Sequence, residues 1–228
     1  EGAKLFEEAI RSGMFFEEIF VTGETSEQNR EMLTFLEQKG VPVNLISSRL
    51  AHSISDVQAA PGLIALLKRP FHQDPNFRRL AVFLISVRDP GNFGTIVRSA
   101  EGAGCEVLFY SSDCVDPFQP KVVRASMGSI FRVPLMEVRD PKLFLENQYA
   151  NKIAVCRLEA RSGRSIQNWK PSMPALICIG SESHGLPKNL PVTEIVSIPM
   201  YGAVESLNAA VAASICLYWI SLTCPNQN

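Results

Sequence analysis

The sequence is short of the residues from which many functional sites are built. It has only three histidines, His52, His72 and His184, and its six cysteines contain no CxxC pair. A zinc centre or a disulfide scaffold is therefore close to excluded. Four of the cysteines lie in or beside apolar runs, where a free thiol behaves as a small buried hydrophobe, so we expect reduced thiols in an intracellular protein. No apolar run reaches the roughly 18 residues of a membrane helix. The stretch Leu207–Leu222 is shorter and is broken by Asn208, Ser214 and Ser221, which reads as a buried helix and no membrane. Neither sign of charge dominates, with 22 Lys+Arg against 23 Asp+Glu and a sequence pI near 6.4. GxGxxG, P-loop and GxSxG fingerprints are all missing. There is no basic-then-apolar start; the chain opens on Glu1, and we expect a cytoplasmic protein with an organellar location left open.

What is present is an ordinary globular composition, 46% hydrophobic and 20% charged over 228 residues. That length suits one large domain or two modest ones, at about 100–200 residues each. The two ends differ in charge: residues 1–72 hold 7 basic and 10 acidic side chains, residues 73–228 hold 15 and 13. Between them, Lys68 to Arg79 carries two prolines and four basic residues, which reads as a linker over 73–79. Before it, Leu5, Phe6, Ala9 and Ile10 mark one helical face, and Phe15–Val21, Val43–Ile46 and Leu63–Leu67 read as strands. Thr25 with Gln28 resembles a capping box opening a helix that stops at Gly40. Ser47–Val57 reads as a further helix. No catalytic constellation shows in this small α/β unit.

After the linker, Leu80–Val87 is a continuous apolar run, the mark of a strand buried on both faces of a parallel sheet. Glu106–Tyr110, Lys152–Cys156, Ala175–Ile179 and Ile195–Ile198 follow, with helices expected at Gly94–Ala103, Pro120–Met127 and Pro141–Ala150. The alternation predicts an α/β domain over 80–228.

Ligands bind at the carboxyl ends of strands in such sheets, and three of those ends are unusual. The first runs through Asn92, which could cap the next helix, to Arg98. The second is Gly180-Ser181-Glu182-Ser183-His184-Gly185-Leu186, two glycines bracketing a polar loop that suits a backbone-lined nucleotide site. Ser183 beside His184 lacks the strand–elbow pattern of a serine hydrolase, so His184 reads as a loop residue. The third is Ile198-Pro199-Met200-Tyr201-Gly202, followed by Glu205-Ser206-Leu207-Asn208. Ser206 reads as the N-cap of a helix reaching Leu222, which leaves Asn208 unexplained by helix propensity.

Taken in order across residues 80–222, these segments resemble the SpoU (TrmH-like) family of RNA ribose 2′-O-methyltransferases, in the SPOUT superfamily. Asn92, Gly94 and Arg98 match its first motif; Gly180, Ser181, Glu182, Gly185 and Leu186 its second; Ile198, Pro199, Met200, Gly202, Ser206, Leu207 and Asn208 its third. Lys121–Ser129 is similar to a connecting segment. The third motif departs after Asn208, where Ala209-Ala210 replaces the common Val–Ser. Residues 1–72 resemble the L30e-like substrate-binding domain of rRNA-modifying members.

The resemblance implies a SPOUT domain with a parallel sheet and a deep trefoil knot, S-adenosylmethionine as methyl donor, no metal, and a homodimer through the knot and C-terminal helix. It places Arg98, Asn92, Glu182, Ser206 and Asn208 at the chemistry, and Gly180, Ile198, Met200 and Leu207 around the cofactor. Arg88, Lys121, Arg124 and Arg132 fall near the same edge and would meet RNA, whereas Arg157, Arg161, Arg164 and Lys170 read as ordinary solvated charges. The expected substrate is large-subunit rRNA. A tRNA substrate, or a non-catalytic RNA-binding assembly factor of the same fold, stands as the alternative.

Overall fold

The computed structural model describes residues 1–57, 59–70, 77–181 and 185–224; of the expected linker, only 77–79 fall within them. The first unit runs α1 (Ala3–Arg11), β1 (Phe16–Thr22), α2 (Gly23–Gln28), α3 (Arg30–Gln38), β2 (Val43–Ile46), α4 (Ser48–Ile54) and β3 (Leu63–Leu67). Its sheet has the order β2-β1-β3, with β1 parallel to β2 and antiparallel to β3. Phe6 and Ala9 of α1 and Leu33 and Leu36 of α3 close over Ile19, Val21 and Leu63 of the sheet. The expected capping box does not form. β1 runs straight into α2, so Thr25 already lies inside the helix, and its hydroxyl accepts from Thr22 Oγ1 at 3.0 Å.

The second unit continues with β4 (Leu80–Leu84), α5 (Pro90–Gly102), β5 (Val107–Ser111), α6 (Pro120–Ser126), β6 (Leu135–Val138), α7 (Pro141–Ala150) and β7 (Ala154–Glu159). It ends with β8 (Arg164–Ser165), β9 (Ala175–Ile179), β10 (Glu194–Ser197) and α8 (Ala209–Thr223). Seven strands lie in the order β6-β5-β4-β9-β7-β10-β8, and every pairing is parallel. The continuous apolar runs of β4 and β9 have a plain cause: every residue of both strands is buried. Two core layers cover the faces. One packs α5 and α8 against Leu80, Val82 and Leu84; the other sets Phe83 and Phe109 under Phe144 and Leu145 of α7.

Two caps fall where the sequence did not put them. Asp89, not Asn92, caps α5, accepting from Asn92 N at 2.7 Å; Pro90 occupies the first turn, where its missing N–H costs nothing. Asn208, not Ser206, caps α8, its Oδ1 accepting from Ala210 N at 2.9 Å and Val211 N at 3.2 Å. The buried Ala209 and Ala210 begin the packed turn, so Ser206 stands too early to reach its N–H groups.

The two units meet at a short joint after α6. Phe131 packs against both the first unit's core and the α5–α8 core. The adjacent Arg132, expected on RNA, is instead committed between the units. Its Nε and Nη2 donate to the Glu101 carboxylate on α5, and its Nη1 donates to Glu8 Oε2 at 2.7 Å and Ser12 Oγ at 3.1 Å. Hydrogen bonding from Arg132 holds the Glu101 carboxyl below the usual carboxylate range. Because that shift is downward, its stabilisation is complete above the ordinary glutamate value and is lost as the pH falls through the lowered one. Arg132→Met should cost about 1 kcal/mol, in keeping with part-exposed ion pairs, and should flatten the acid limb of the stability curve. Urea melts of both proteins from neutral pH downward test this; parallel acid limbs would contradict it.

Candidate active site

The carboxyl ends of β7, β9 and β10 open on one side of the sheet, and their loops converge on a cleft of about 270 Å³. Gly180, Ile198, Met200 and Leu207, all expected around a cofactor, line it together with Ser206. The loop after β9 folds tightly, with Gly185 N donating to Ser181 O at 2.9 Å. A Cβ on Gly180 would stand 2.4 Å from the Gly185 carbonyl carbon, so only glycine lets the loop close. The expected Glu182, and with it Ser183 and His184, lie outside the described residues. Ile179, Ile198, Met200, Leu207, Ala209 and Ala212 form the cleft's apolar part, and nearly as much of the lining is polar. Its size is near the lower end of small-molecule sites, roughly 300–1,000 Å³.

A larger cavity of about 410 Å³ lies between the two units, walled by Phe6, Phe16, Phe118, Val123 and Phe131. It contains Arg124 but no other residue of the expected site, so the smaller cleft is the candidate.

At the cleft's rim the first and third motifs are joined. Asn208 Nδ2 donates to Asn92 Oδ1 at 2.9 Å. The cap decides this orientation: with Oδ1 occupied by two N–H groups of α8, the amide nitrogen faces Asn92. Gly94 serves the same placement, since its Cβ would be 2.5 Å from Ala125 Cβ and 2.6 Å from Val122 O, where α6 lies against α5. Arg98 is not gathered in. It is exposed on α5 and makes no ion pair among the described residues. The contact of α5 with α8 beside it is made by Ser99 and Ser214, whose hydroxyls are 2.6 Å apart.

Of the other expected RNA contacts, Arg88 is 77% exposed and only loosely paired with Asp113 at 3.7 Å, and Lys121 is exposed. Arg124 is part-buried and faces Glu1 at 3.9 Å. Arg157 overturns its reading as a solvated charge. It is 4% exposed, and Nη2 donates to Leu186 O at 2.6 Å and Pro187 O at 2.5 Å. Its neighbour Glu159 lines the cleft. Neither was foreseen, although opposite charges two residues apart at the end of a buried strand share one face of it. Burial pushes the Cys105 and Cys216 thiols up to about 12, which disfavours their reactive thiolate form.

Residues 79–218 match the SpoU rRNA Methylase family. The chain belongs to that family. It is 28% identical over 220 residues to the 23S rRNA (guanosine(2553)-2′-O)-methyltransferase of Bacillus subtilis, covering 96% of this chain and 86% of that one. The SpoU methyltransferase AviRb of Streptomyces viridochromogenes, solved with AdoMet, superposes with a TM-score of 0.81 at 28% identity, over 96% of this chain and 87% of that one. A structure concerned with 2-OH methylation of tRNA matches with a TM-score of 0.57 at 27% identity, over 64% of this chain and 96% of that one. As a SpoU methylase, the protein is an S-adenosylmethionine-dependent RNA methyltransferase. The cleft's mixed apolar and polar lining, the close approach at Gly180 and the carboxylate at its wall fit an adenosyl cofactor.

The two tasks of Asn208 should separate by mutation. Asn208→Ala should cost about 1 kcal/mol in chemical denaturation, the usual loss of an N-cap. Asn208→Ser can still cap α8 but is too short for Asn92, so stability should return while methyl transfer stays impaired. A serine variant with full activity would show that the Asn92 bond is dispensable.

Proposed function

We propose that the protein methylates a ribose 2′-oxygen of large-subunit rRNA, working as a homodimer. The observation that carries this reading is the convergence of Gly180, Ile198, Met200 and Leu207 on one cleft whose rim holds the Asn92–Asn208 pair. The rRNA-acting relative spans 96% of this chain, first unit included, whereas the tRNA-methylation structure covers only 64% of it. This favours residues 1–72 as the RNA substrate-binding domain, joined by the 73–79 linker to the 80–228 methyltransferase domain.

When bound, S-adenosylmethionine supplies an electrophilic methyl group. Ile198, Met200 and Leu207 keep water from its apolar end, and the Gly180 loop closes against it through backbone groups. Asn92, held by Asn208, orients the ribose, and Ser206 supports that rim. In-line placement of the two reacting atoms is the proximity contribution. An arginine keeps its proton in proteins, so Arg98 serves as a fixed cation that stabilises the developing alkoxide. Arg88 and Lys121 are placed to meet backbone phosphates, and such contacts weaken as salt rises.

The dimer reading rests on α8. Val211, Ile215, Tyr218 and Leu222 repeat at helical spacing and are 48%, 41%, 49% and 77% exposed, an apolar stripe beside the face that carries Arg98. A second copy covering the stripe would bring Arg98 against a second cleft. The knot expected of the SPOUT fold accords with β10 lying between β7 and β8, immediately before α8.

Arg98→Ala should lower methyl transfer by about 100-fold or more, the range for losing one charge-stabilising group, with S-adenosylmethionine affinity unchanged by calorimetry. Leu207→Trp should abolish that affinity. A wild type that binds the cofactor but methylates neither rRNA nor tRNA would favour the assembly-factor reading. In the same preparations, Ile215→Glu should turn a dimer into a monomer by light scattering; a monomeric wild type at micromolar concentration would defeat the dimer.

A further inference from the structure

Arg157 is a charge in an expensive place. It sits on β7 between β9 and β10, 4% exposed, with Cys178 and Ile195 opposite it in the ladder. Removing an ion from water costs several kcal/mol unless it is paired and hydrogen-bonded. Its partners are specific. One nitrogen, Nη2, takes the carbonyls of Leu186 and Pro187, where the Gly180–Gly185 loop ends. Another, Nε, stands 3.1 Å from Glu159 Oε1 in an ion pair bent too far for a hydrogen bond. Glu159 lies two residues on, on the same face of the strand and at its carboxyl end. Its side chain is 30% exposed, and the residue forms part of the cleft wall between Leu158 and Ala160. No described contact uses its Oε2.

We propose that Glu159 is a cofactor-binding residue and Arg157 its positioning residue. The cleft is otherwise lined by apolar side chains, backbone and the Ser181 and Ser206 hydroxyls, so Glu159 is its one described carboxylate. A carboxylate accepts hydrogen bonds from N–H and O–H donors, and S-adenosylmethionine offers both, an amine on its adenine, hydroxyls on its ribose and an ammonium on its amino-acid end. Arg157 holds two sides of the cleft in one arrangement. Its fork pins the end of the glycine loop, and its charge orients the carboxylate. The inference rests on the cleft being the cofactor site.

The test is calorimetric titration of the intact protein with S-adenosylmethionine and, separately, with adenosine, using wild type, Glu159→Gln, Arg157→Lys and Arg157→Met. Apo melting temperatures come from the same samples. Glu159→Gln should lower S-adenosylmethionine affinity about ten-fold, the loss expected for a hydrogen bond to a charged group, with little change in apo melting. An equal loss with adenosine assigns the bond to the adenosyl end, through its ribose hydroxyls or its adenine amine; a loss with S-adenosylmethionine alone assigns it to the amino-acid end. Arg157→Lys keeps the charge but not the fork, and should weaken binding of both ligands while remaining folded. If Arg157→Met fails to fold, the other two variants decide. Wild-type affinities in Glu159→Gln and Arg157→Lys would overturn the inference and leave the pair purely structural. Failure of the wild type itself to bind, or Leu207→Trp binding normally, would instead move the cofactor away from the cleft.

Discussion

The first N–H groups of α8 have no helical acceptor, and the Asn208 side chain satisfies two of them. Much of the site follows from that local need. Once Oδ1 is spent on the cap, the amide nitrogen is the group turned outward, and it donates to Asn92 in the first turn of α5. The start of one helix is thereby fixed to the start of another. The segment leading into Asn208 must then pass Ser206 and Leu207 along the cleft wall. A serine or aspartate could cap α8 as well, but the cap alone does not reach across to a second motif. Asparagine supplies an acceptor for its own helix and a donor for the neighbour.

How far the sequence was legible depended on where the deciding contacts lie. Ala175–Ile179 and Pro141–Ala150 were readable to the residue because burial on both faces, or a proline at the first turn, is written locally. β6 and β8 were not. Each is an edge strand, four and two residues long, and its identity as a strand comes from one neighbour only. The caps were misread for a related reason. Asn92 and Ser206 are good capping residues, and Asp89 and Asn208 win because they stand where the packed turns begin.

Charges show the same limit more sharply. Arg88, Arg132 and Arg157 look alike in a sequence, yet one is 77% exposed, one is shared between two carboxylates across a domain joint, and one is buried under a loop. Counting basic residues along an edge predicts an RNA patch; only tertiary partners say which cations are free to join it. The joint at Phe131 and Arg132 has a further consequence. Glu101 belongs to the helix that carries Asn92 and Arg98, so the first unit is anchored to the same rigid element as the first motif. In the proposed reading, RNA held by that unit is held at a fixed offset from the reacting ribose.

In the proposed reading Arg98 poses the last physical question, because a cation aids catalysis only where water is excluded. On one chain Arg98 lies in solvent, where a unit charge at 4 Å contributes about 1 kcal/mol, against about 4 kcal/mol in a partly protein-like surrounding. Its helix packs beside the apolar stripe of α8, a surface that is itself costly to leave wet. Covering the stripe removes water from both. In the proposed dimer, the association that covers Val211, Ile215 and Tyr218 would also lower the dielectric around Arg98 and make its charge useful to an alkoxide. In that reading, dimer formation and catalytic electrostatics are a single demand on this face. On the same reading, an isolated chain would keep its cleft and lose most of what Arg98 could contribute.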